Sequence, residues 1–182
     1  MSSGGVAVRP AHQGEAELVA SVLEEAAEWL RQRGDPLWSA SELEPSVIRR
    51  DVDAGHYLLA FAAQQVVGAA RLTLDDPVCW PEGVAGEAAY LHRLAVRRAH
   101  AGGTVSRAII NFCCARARAL GCSSLRLDCE AGRRRLRSLY EGVGFAFHSE
   151  RVIGLHTVAR YEKRLPKLSG PPVLPGADTR GL

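Results

Sequence analysis

The sequence lacks any long hydrophobic run. No apolar stretch approaches the roughly 18 residues that a transmembrane helix needs, and the opening residues MSSGGVAVRP do not contain the apolar core of a signal peptide. The formal net charge of +3 is too small to indicate a nucleic-acid binder or a protein of the membrane surface. We therefore expect a cytoplasmic protein that binds neither membranes nor nucleic acids.

Cysteine is present, but not in a pattern that indicates disulfides or a metal site. The five cysteines are an odd number, and no two of them form a C-x-x-C pair. Small buried thiols in a reducing compartment explain them better, so we expect no metal. The phosphate-binding fingerprints G-x-x-x-x-G-K-[ST] and G-x-G-x-x-G are missing as well, which argues against a P-loop and against a Rossmann site.

The hydrophobic pattern predicts a single α/β domain over residues 1–165, with a mixed sheet and helices on both of its faces. The tail 166–182 has too little apolar content to fold, and we expect it to be disordered. The strand–helix–strand unit over 88–129 predicts one parallel strand pair. The predicted elements are, in order, a strand at 6–9, helices at 18–34 and 42–54, strands at 56–62, 66–74 and 88–96, a helix at 104–120, a strand at 124–129, a helix at 133–141, and strands at 145–153 and 156–165.

Residues 91–107, LHRLAVRRAHAGGTVSR, join a predicted buried strand to the clearest helix of the chain. The first turn of a helix has unpaired N–H donors and the positive end of the helix dipole, so it attracts anions. Gly102 and Gly103 would let the backbone approach a phosphate. The stretch fits a pyrophosphate site, but it also fits a plain helix cap by Thr104 without a ligand. Three arginines would add charge nearby: Arg97, Arg98 and Arg107.

Three stretches resemble the GNAT superfamily of acyl-CoA-dependent N-acyltransferases: AAYLHRLAVRRAHAGGTVSRAIINF (88–112), ALGCSSLRLDC (119–129) and LRSLYEGVGF (136–145). With the element order, the resemblance covers most of residues 5–165, and its L-Y-E-x-x-G-F segment is fairly specific. The resemblance implies a GNAT-like fold with a mostly antiparallel central sheet. It also implies transfer of an acetyl group from acetyl-CoA to an amine of a small molecule, and pairing of sheet edges in a homodimer. The alternative is a protein that keeps the fold and binds acyl-CoA or another ligand without turnover.

The family's cofactor loop reads Gln or Arg, two residues, Gly, one residue, and then Gly or Ala. These three places fall on Ala101, Thr104 and Ser106, and none of them matches. The hydroxyls of Thr104 and Ser106 either donate to phosphate or obstruct its approach, and we expect weakened but retained binding. Arg133 stands where many members have an Asn that contacts the cofactor; it either lies on a solvated helix face or reaches the phosphates. The cofactor-binding residues that the resemblance implies are Leu94, Ala95, Val96, Ala101, Gly102, Gly103, Thr104, Val105, Ser106, Arg107 and Arg133.

The resemblance also assigns catalytic roles. Tyr140 falls where the family has a tyrosine that protonates the coenzyme A thiolate, and the backbone N–H of Leu94 falls where the thioester carbonyl is polarised. Spacing does not choose the general base among Glu87, His92 and Asp128, and water remains a further alternative. Large aromatic residues are the candidates for the acceptor pocket: Trp38, Trp80 and Tyr90.

Overall fold

The computed structural model describes residues 5–166, so the tail predicted to be disordered lies, from residue 167 on, outside the described residues. One seven-stranded sheet has the order β1-β2-β3-β4-β5-β7-β6, which confirms the predicted mixed fold. Within residues 5–166, no helix has both the length and the apolar character needed to cross a membrane. The elements are β1 (Ala7–Pro10), α1 (Ala16–Gln32), α2 (Pro45–Asp53), β2 (Tyr57–Ala62), β3 (Gln65–Thr73), β4 (Ala88–Val96), α3 (Thr104–Ala119), β5 (Ser124–Glu130), α4 (Arg134–Gly142), β6 (Ala146–Ile153) and β7 (His156–Arg164), with a short 3-10 turn at Arg98–His100.

Helices cover both faces of the sheet. Successive side chains of a strand point to opposite faces, and on β2 Leu58 packs into the cluster that contains the apolar side of α3, whereas Leu59 packs with α1 and α2. On α1, Val19, Val22 and Leu23 recur at helical spacing and are fully buried in the second cluster. The sheet is therefore the middle layer of three, with α1 and α2 on one side and α3 and α4 on the other.

The parallel strands β4 and β5 separate soon after they begin. They pair only from Ala88 to Tyr90 with Ser124 to Arg126, although β4 continues to Val96 and β5 to Glu130. A β-bulge follows on β4, where His92 to Ala95 oppose a shorter stretch of β3, and Arg93 there has a φ of 51°. A bulge bends its strand and leaves a residue out of the ladder. The result is a wedge between β4 and β5, open towards their C-terminal ends, which we call the β4–β5 gap.

Gly68 lies on β3 where α3 approaches the sheet. A Cβ atom at this position would lie 2.9 Å from Val105 Cγ1 and 3.1 Å from the Ala95 carbonyl oxygen. We expect Gly68→Ala to lower the free energy of unfolding by about 1–3 kcal/mol, because the well-packed core must shift to admit the methyl group. Urea denaturation measures this. Gly142→Ala is the matched control, since a Cβ there would meet nothing within 4 Å; equal stability of the two variants would contradict the packing argument.

Candidate active site

The loop between β4 and α3 has the backbone form of an anion site. Gly102 and Gly103 have φ values of 136° and 94°, which glycine adopts without strain, and a Cβ on either would meet nothing within 4 Å. The first helical hydrogen bond of α3 runs from Arg107 N–H to the Gly103 carbonyl, at 2.9 Å. The N–H groups of residues 104–106 therefore have no partner within the helix, and open space lies beside the two glycines.

Thr104 does not cap this helix. The N-cap residue is Gly103, and no side chain makes a capping hydrogen bond. Thr104 is the exposed first residue of α3, while Ser106 is only 9% exposed. The interpretation of the stretch as a simple Thr104 cap is therefore wrong. A Thr104 cap would place the first helical residue at 105, whereas the left-handed Gly103 is the N-cap and Thr104 is already the first residue of the helix.

Two of the three nearby arginines are used to hold α1. The Arg97 guanidinium donates to Glu25 at 2.6 Å and to Ser21 Oγ at 2.8 Å, and the Arg98 guanidinium lies 3.8 Å from the ring centroid of Trp29. Arg107 is exposed on the first turn of α3. Its place in the first turn makes it the candidate of the three for a phosphate contact.

The Arg133 side chain is bound to two carboxylates of the chain. Its guanidinium donates to the Asp35 carboxylate at 2.8 Å and to the Glu130 carboxylate at 3.2 Å, and only 10% of the side chain is exposed. This arrangement engages the guanidinium with carboxylates of the chain, which argues against a contact with the coenzyme A phosphates and against a solvated helix face.

Asp128 lies on β5 at the start of the β4–β5 gap, two residues beyond the last position that pairs with β4. The loop after β3 brings Asp76 and Cys79 to it, so that the two carboxylates and the thiol lie within 4.8 Å of one another. Cys79 N–H donates to Asp76 Oδ1 at 2.9 Å, while Asp76 Oδ2 is buried and has no hydrogen-bond partner among residues 5–166. The cluster places a second carboxylate beside Asp128.

This environment makes Asp128 a proton acceptor suited to neutral pH. Burial, and after it the charge of Asp76, raises the pKa of Asp128 to about 6. Burial also raises the pKa of the Cys79 thiol, with the two carboxylates adding to the effect. The thiol is therefore protonated at neutral pH.

Tyr140 lies on α4, on the opposite face of the sheet from the Asp76 side of the gap. Its ring is 6% exposed and belongs to the same core cluster as Cys129, the residue after Asp128. Burial raises the pKa of Tyr140, and the charges of Cys129 and Asp128 act in the same direction. Tyr140 is thus a protonated phenol at neutral pH, as a proton donor must be.

The other two base candidates are less suitable. His92 hydrogen-bonds with Thr73 Oγ1 through Nε2, at 3.1 Å, and burial lowers its pKa to about 4, so it is a neutral and weakly basic structural residue. Glu87 precedes β4, at the end away from the gap, where its carboxylate lies 3.6 Å from Arg126. Asp128 is the one of the three that combines a raised pKa with a position at the gap.

Two of the predicted acceptor residues are buried. Trp80 is 2% exposed, and its ring lies 4.9 Å from the guanidinium of Arg126 and 4.7 Å from that of Arg160. Tyr90, also 2% exposed, packs against it. Their rings hold the loop after β3 on the sheet, and this burial argues against both as acceptor contacts. Trp38 is partly buried against the α1–α2 side of the core and keeps an exposed portion in the connection between these helices.

The sequence analysis missed Asp76 and Cys79. The signal for Asp76 was the pair Asp75-Asp76 before a proline, at the end of a strand. That signal predicts a turn and says nothing of a partner on β5, which only the folding of the loop across the sheet provides.

Known proteins resemble this chain over most of its length. The sequence model described as "Acetyltransferase (GNAT) family" matches residues 23–145. The uncharacterized N-acetyltransferase YesJ of Bacillus subtilis is 30% identical over 154 residues, which are 81% of this chain and 85% of YesJ. A GNAT-family acetyltransferase from Listeria monocytogenes superposes with a TM-score of 0.72 at 24% identity, covering 88% of this chain and 95% of that one. The PaiA N-acetyltransferase from Thermoplasma acidophilum, in complex with coenzyme A, gives a TM-score of 0.68 at 15% identity, covering 88% and 99%.

Proposed function

The chain belongs to the GNAT family of acetyltransferases, and from that premise we propose that it transfers the acetyl group of acetyl-CoA to an amine of a small molecule by direct attack. The observation that carries the proposal is the β4–β5 gap. It has an open helix N-terminus near one end, a carboxylate with a raised pKa on one face and a buried phenol on the other. The helix N-terminus suits the phosphates of the acyl donor, and the carboxylate and the phenol suit the removal of a proton from the amine and the protonation of the thiolate.

In this proposal, the loop 101–107 binds the pyrophosphate. The unpaired N–H groups of residues 104–106 donate to phosphate oxygens, and the hydroxyls of Thr104 and Ser106 add further donors. The edge of β4 at residues 94–96, which β5 has left, pairs with the pantetheine arm as an added strand would. That the Thermoplasma neighbour was crystallised with coenzyme A supports coenzyme A as the ligand.

The chemistry uses both faces of the gap. Asp128, ionised above pH about 6, takes a proton from the acceptor ammonium, and the free amine attacks the thioester carbonyl carbon while the backbone N–H of Leu94 polarises the carbonyl oxygen. As the carbon–sulfur bond breaks, Tyr140 gives its proton to the departing thiolate. The nitrogen loses its second proton as the amide forms, and that proton restores the Tyr140 phenol, while Asp128 releases the ammonium proton to solvent, so that the proton balance closes.

Arg107 provides a test of the loop. We expect Arg107→Ala to weaken acetyl-CoA binding about tenfold, because a charge-assisted contact to phosphate contributes about 1.5 kcal/mol, and to reduce the salt dependence of the binding. Calorimetric titration measures both. Arg116→Ala, a change of an exposed arginine near the other end of α3, is the control and should leave the Kd unchanged. Equal effects of the two variants would mean that the loop does not bind the phosphates.

The transfer itself is tested by thiol release from acetyl-CoA with a panel of primary amines that includes polyamines, aminoglycosides and amino acids. We expect thiol release that depends on the amine, with mass spectrometry detecting one added acetyl group on that amine. Saturable acetyl-CoA binding without amine-dependent thiol release would instead support a binding protein of this fold.

A further inference from the structure

Arg133 joins parts of the chain that are far apart in sequence. Its guanidinium donates to the carboxylate of Asp35 at 2.8 Å and to the carbonyl oxygens of Asp35 and Pro36, both at 3.2 Å. A fourth bond, at 3.2 Å, goes to Glu130 at the end of β5. Because two of the four acceptors are backbone carbonyls, this contact fixes the path of the main chain at Asp35–Pro36. The planar fork of a guanidinium suits this task, and an ammonium does not reproduce it.

The segment that Arg133 holds crosses the β4–β5 gap. Residues 33–44 connect α1 to α2. Near one end Asp35 is bound to Arg133, just after β5, and near the other end Glu42 lies 4.0 Å from the guanidinium of Arg93 on the β4 bulge. Trp38 lies between these two contacts. The connection therefore touches both borders of the gap.

Glu130 extends the contact to a third segment. Its other carboxylate oxygen lies 3.1 Å from His156 Nδ1, at the start of β7. The hydrogen bond to His156, followed by that to Arg133, lowers the pKa of Glu130, so Glu130 is ionised at neutral pH and holds the guanidinium in place. The β6–β7 turn and the α1–α2 connection thus meet at Arg133.

We propose that Arg133 is a positioning residue that fixes the α1–α2 connection across the gap and thereby sets the affinity for the amine acceptor. This rests on the proposed function. Within residues 5–166, the hydrogen bonds of the side chain go to the α1–α2 connection and to the end of β5, and none goes to the loop 101–107 or to Tyr140. The affinity for acetyl-CoA should therefore be independent of it, in contrast to the family position at which an Asn contacts the cofactor.

The test compares Arg133→Gln with Arg134→Gln, a change at the exposed neighbouring arginine. In the ligand-free protein we expect amide hydrogen exchange of residues 33–42 to accelerate about tenfold or more in the first variant, since the charged hydrogen bonds that hold the segment are lost, and to be unchanged in the second. The calorimetric Kd for acetyl-CoA should be unchanged in both.

With the fastest amine of the panel, Arg133→Gln should raise KM about tenfold and leave kcat nearly unchanged. Asp35→Asn, at a side chain that is 55% exposed, should fold and give a smaller effect of the same kind.

Three results would overturn the proposal. Unchanged exchange of residues 33–42 would mean that Arg133 does not hold the connection. A weaker Kd for acetyl-CoA with an unchanged amine KM would assign Arg133 to the cofactor. Faster exchange of residues 33–42 with an unchanged amine KM would mean that the α1–α2 connection does not set the affinity for the acceptor. If the wild-type protein acetylates no amine of the panel, the proposed function fails, while the exchange experiment still decides whether Arg133 fixes the connection.

Discussion

Asp128→Asn should lower kcat by about 10²–10⁴-fold, the range for loss of a general base, and at the same time stabilise the protein at pH 8. The stability gain follows from the raised pKa. The folded protein holds a proton on Asp128 up to pH about 6, whereas the ordinary pKa of an aspartate, as in the unfolded chain, is 3.8, so the folded state binds more protons between these values and its stability falls as pH rises. Above pH 6 the buried charge costs about 2–3 kcal/mol, which Asn removes. Urea denaturation at pH 8 and at pH 4 measures this, and the gain should be absent at pH 4.

The pH profile separates a base from a merely structural Asp128. In the wild-type protein, kcat/KM should rise through pH about 6 as Asp128 ionises. Asp76→Asn removes the neighbouring negative charge, so the pKa of Asp128 should fall and the acid limb of the profile should move to lower pH. A limb that stays in place in Asp76→Asn, or full turnover in Asp128→Asn, would exclude Asp128 as the base.

Tyr140→Phe should lower kcat by about 10²–10⁴-fold and leave the calorimetric Kd for acetyl-CoA unchanged. The substitution removes one oxygen from a ring that packs between Phe145 and Tyr161, with centroids at 6.0 and 6.2 Å, so the fold should be kept. The loss falls on turnover because the phenol protonates the thiolate only as the carbon–sulfur bond breaks.

Tyr161→Phe is the matched control for Tyr140. The Tyr161 hydroxyl accepts from Arg137 at 2.9 Å and donates to Glu141 at 2.8 Å, so its removal should cost about 1–3 kcal/mol of stability and little turnover. If Tyr140→Phe weakens acetyl-CoA binding as much as it lowers kcat, or has no effect on kcat, Tyr140 is a packing residue.

Much of the fold could be predicted because its signals are local. Helical spacing of apolar residues identified α1 and α3, and the strand–helix–strand unit predicted the parallel pair of β4 with β5. The β2–β3 hairpin followed from two apolar runs, although its turn at Ala63 and Gln64 has positive φ at residues that do not favour it. The place of Asp128 at the end of a strand brought it into consideration, whereas Tyr140 was a candidate because of the family resemblance, since its place on an apolar helix face fits a core residue equally well.

The rest of the site depends on contacts over long distances in sequence. Arg133 looked like part of an exposed arginine run, but its partner Asp35 is 98 residues away. Trp80 looked like a free loop aromatic, but the loop folds back and buries its ring between two guanidinium groups. In each case the side chain's role is set by a partner that neither composition nor spacing identifies.

Calorimetric titration with acetyl-CoA at moderate salt tests whether the loop 101–107 binds the pyrophosphate of acetyl-CoA beside the β4–β5 gap. We predict saturable one-to-one binding with a Kd on the order of micromolar, which corresponds to about −8 kcal/mol, and weaker binding at higher salt. The absence of binding up to millimolar acetyl-CoA would contradict the account and would mean that this fold has been adapted to another ligand.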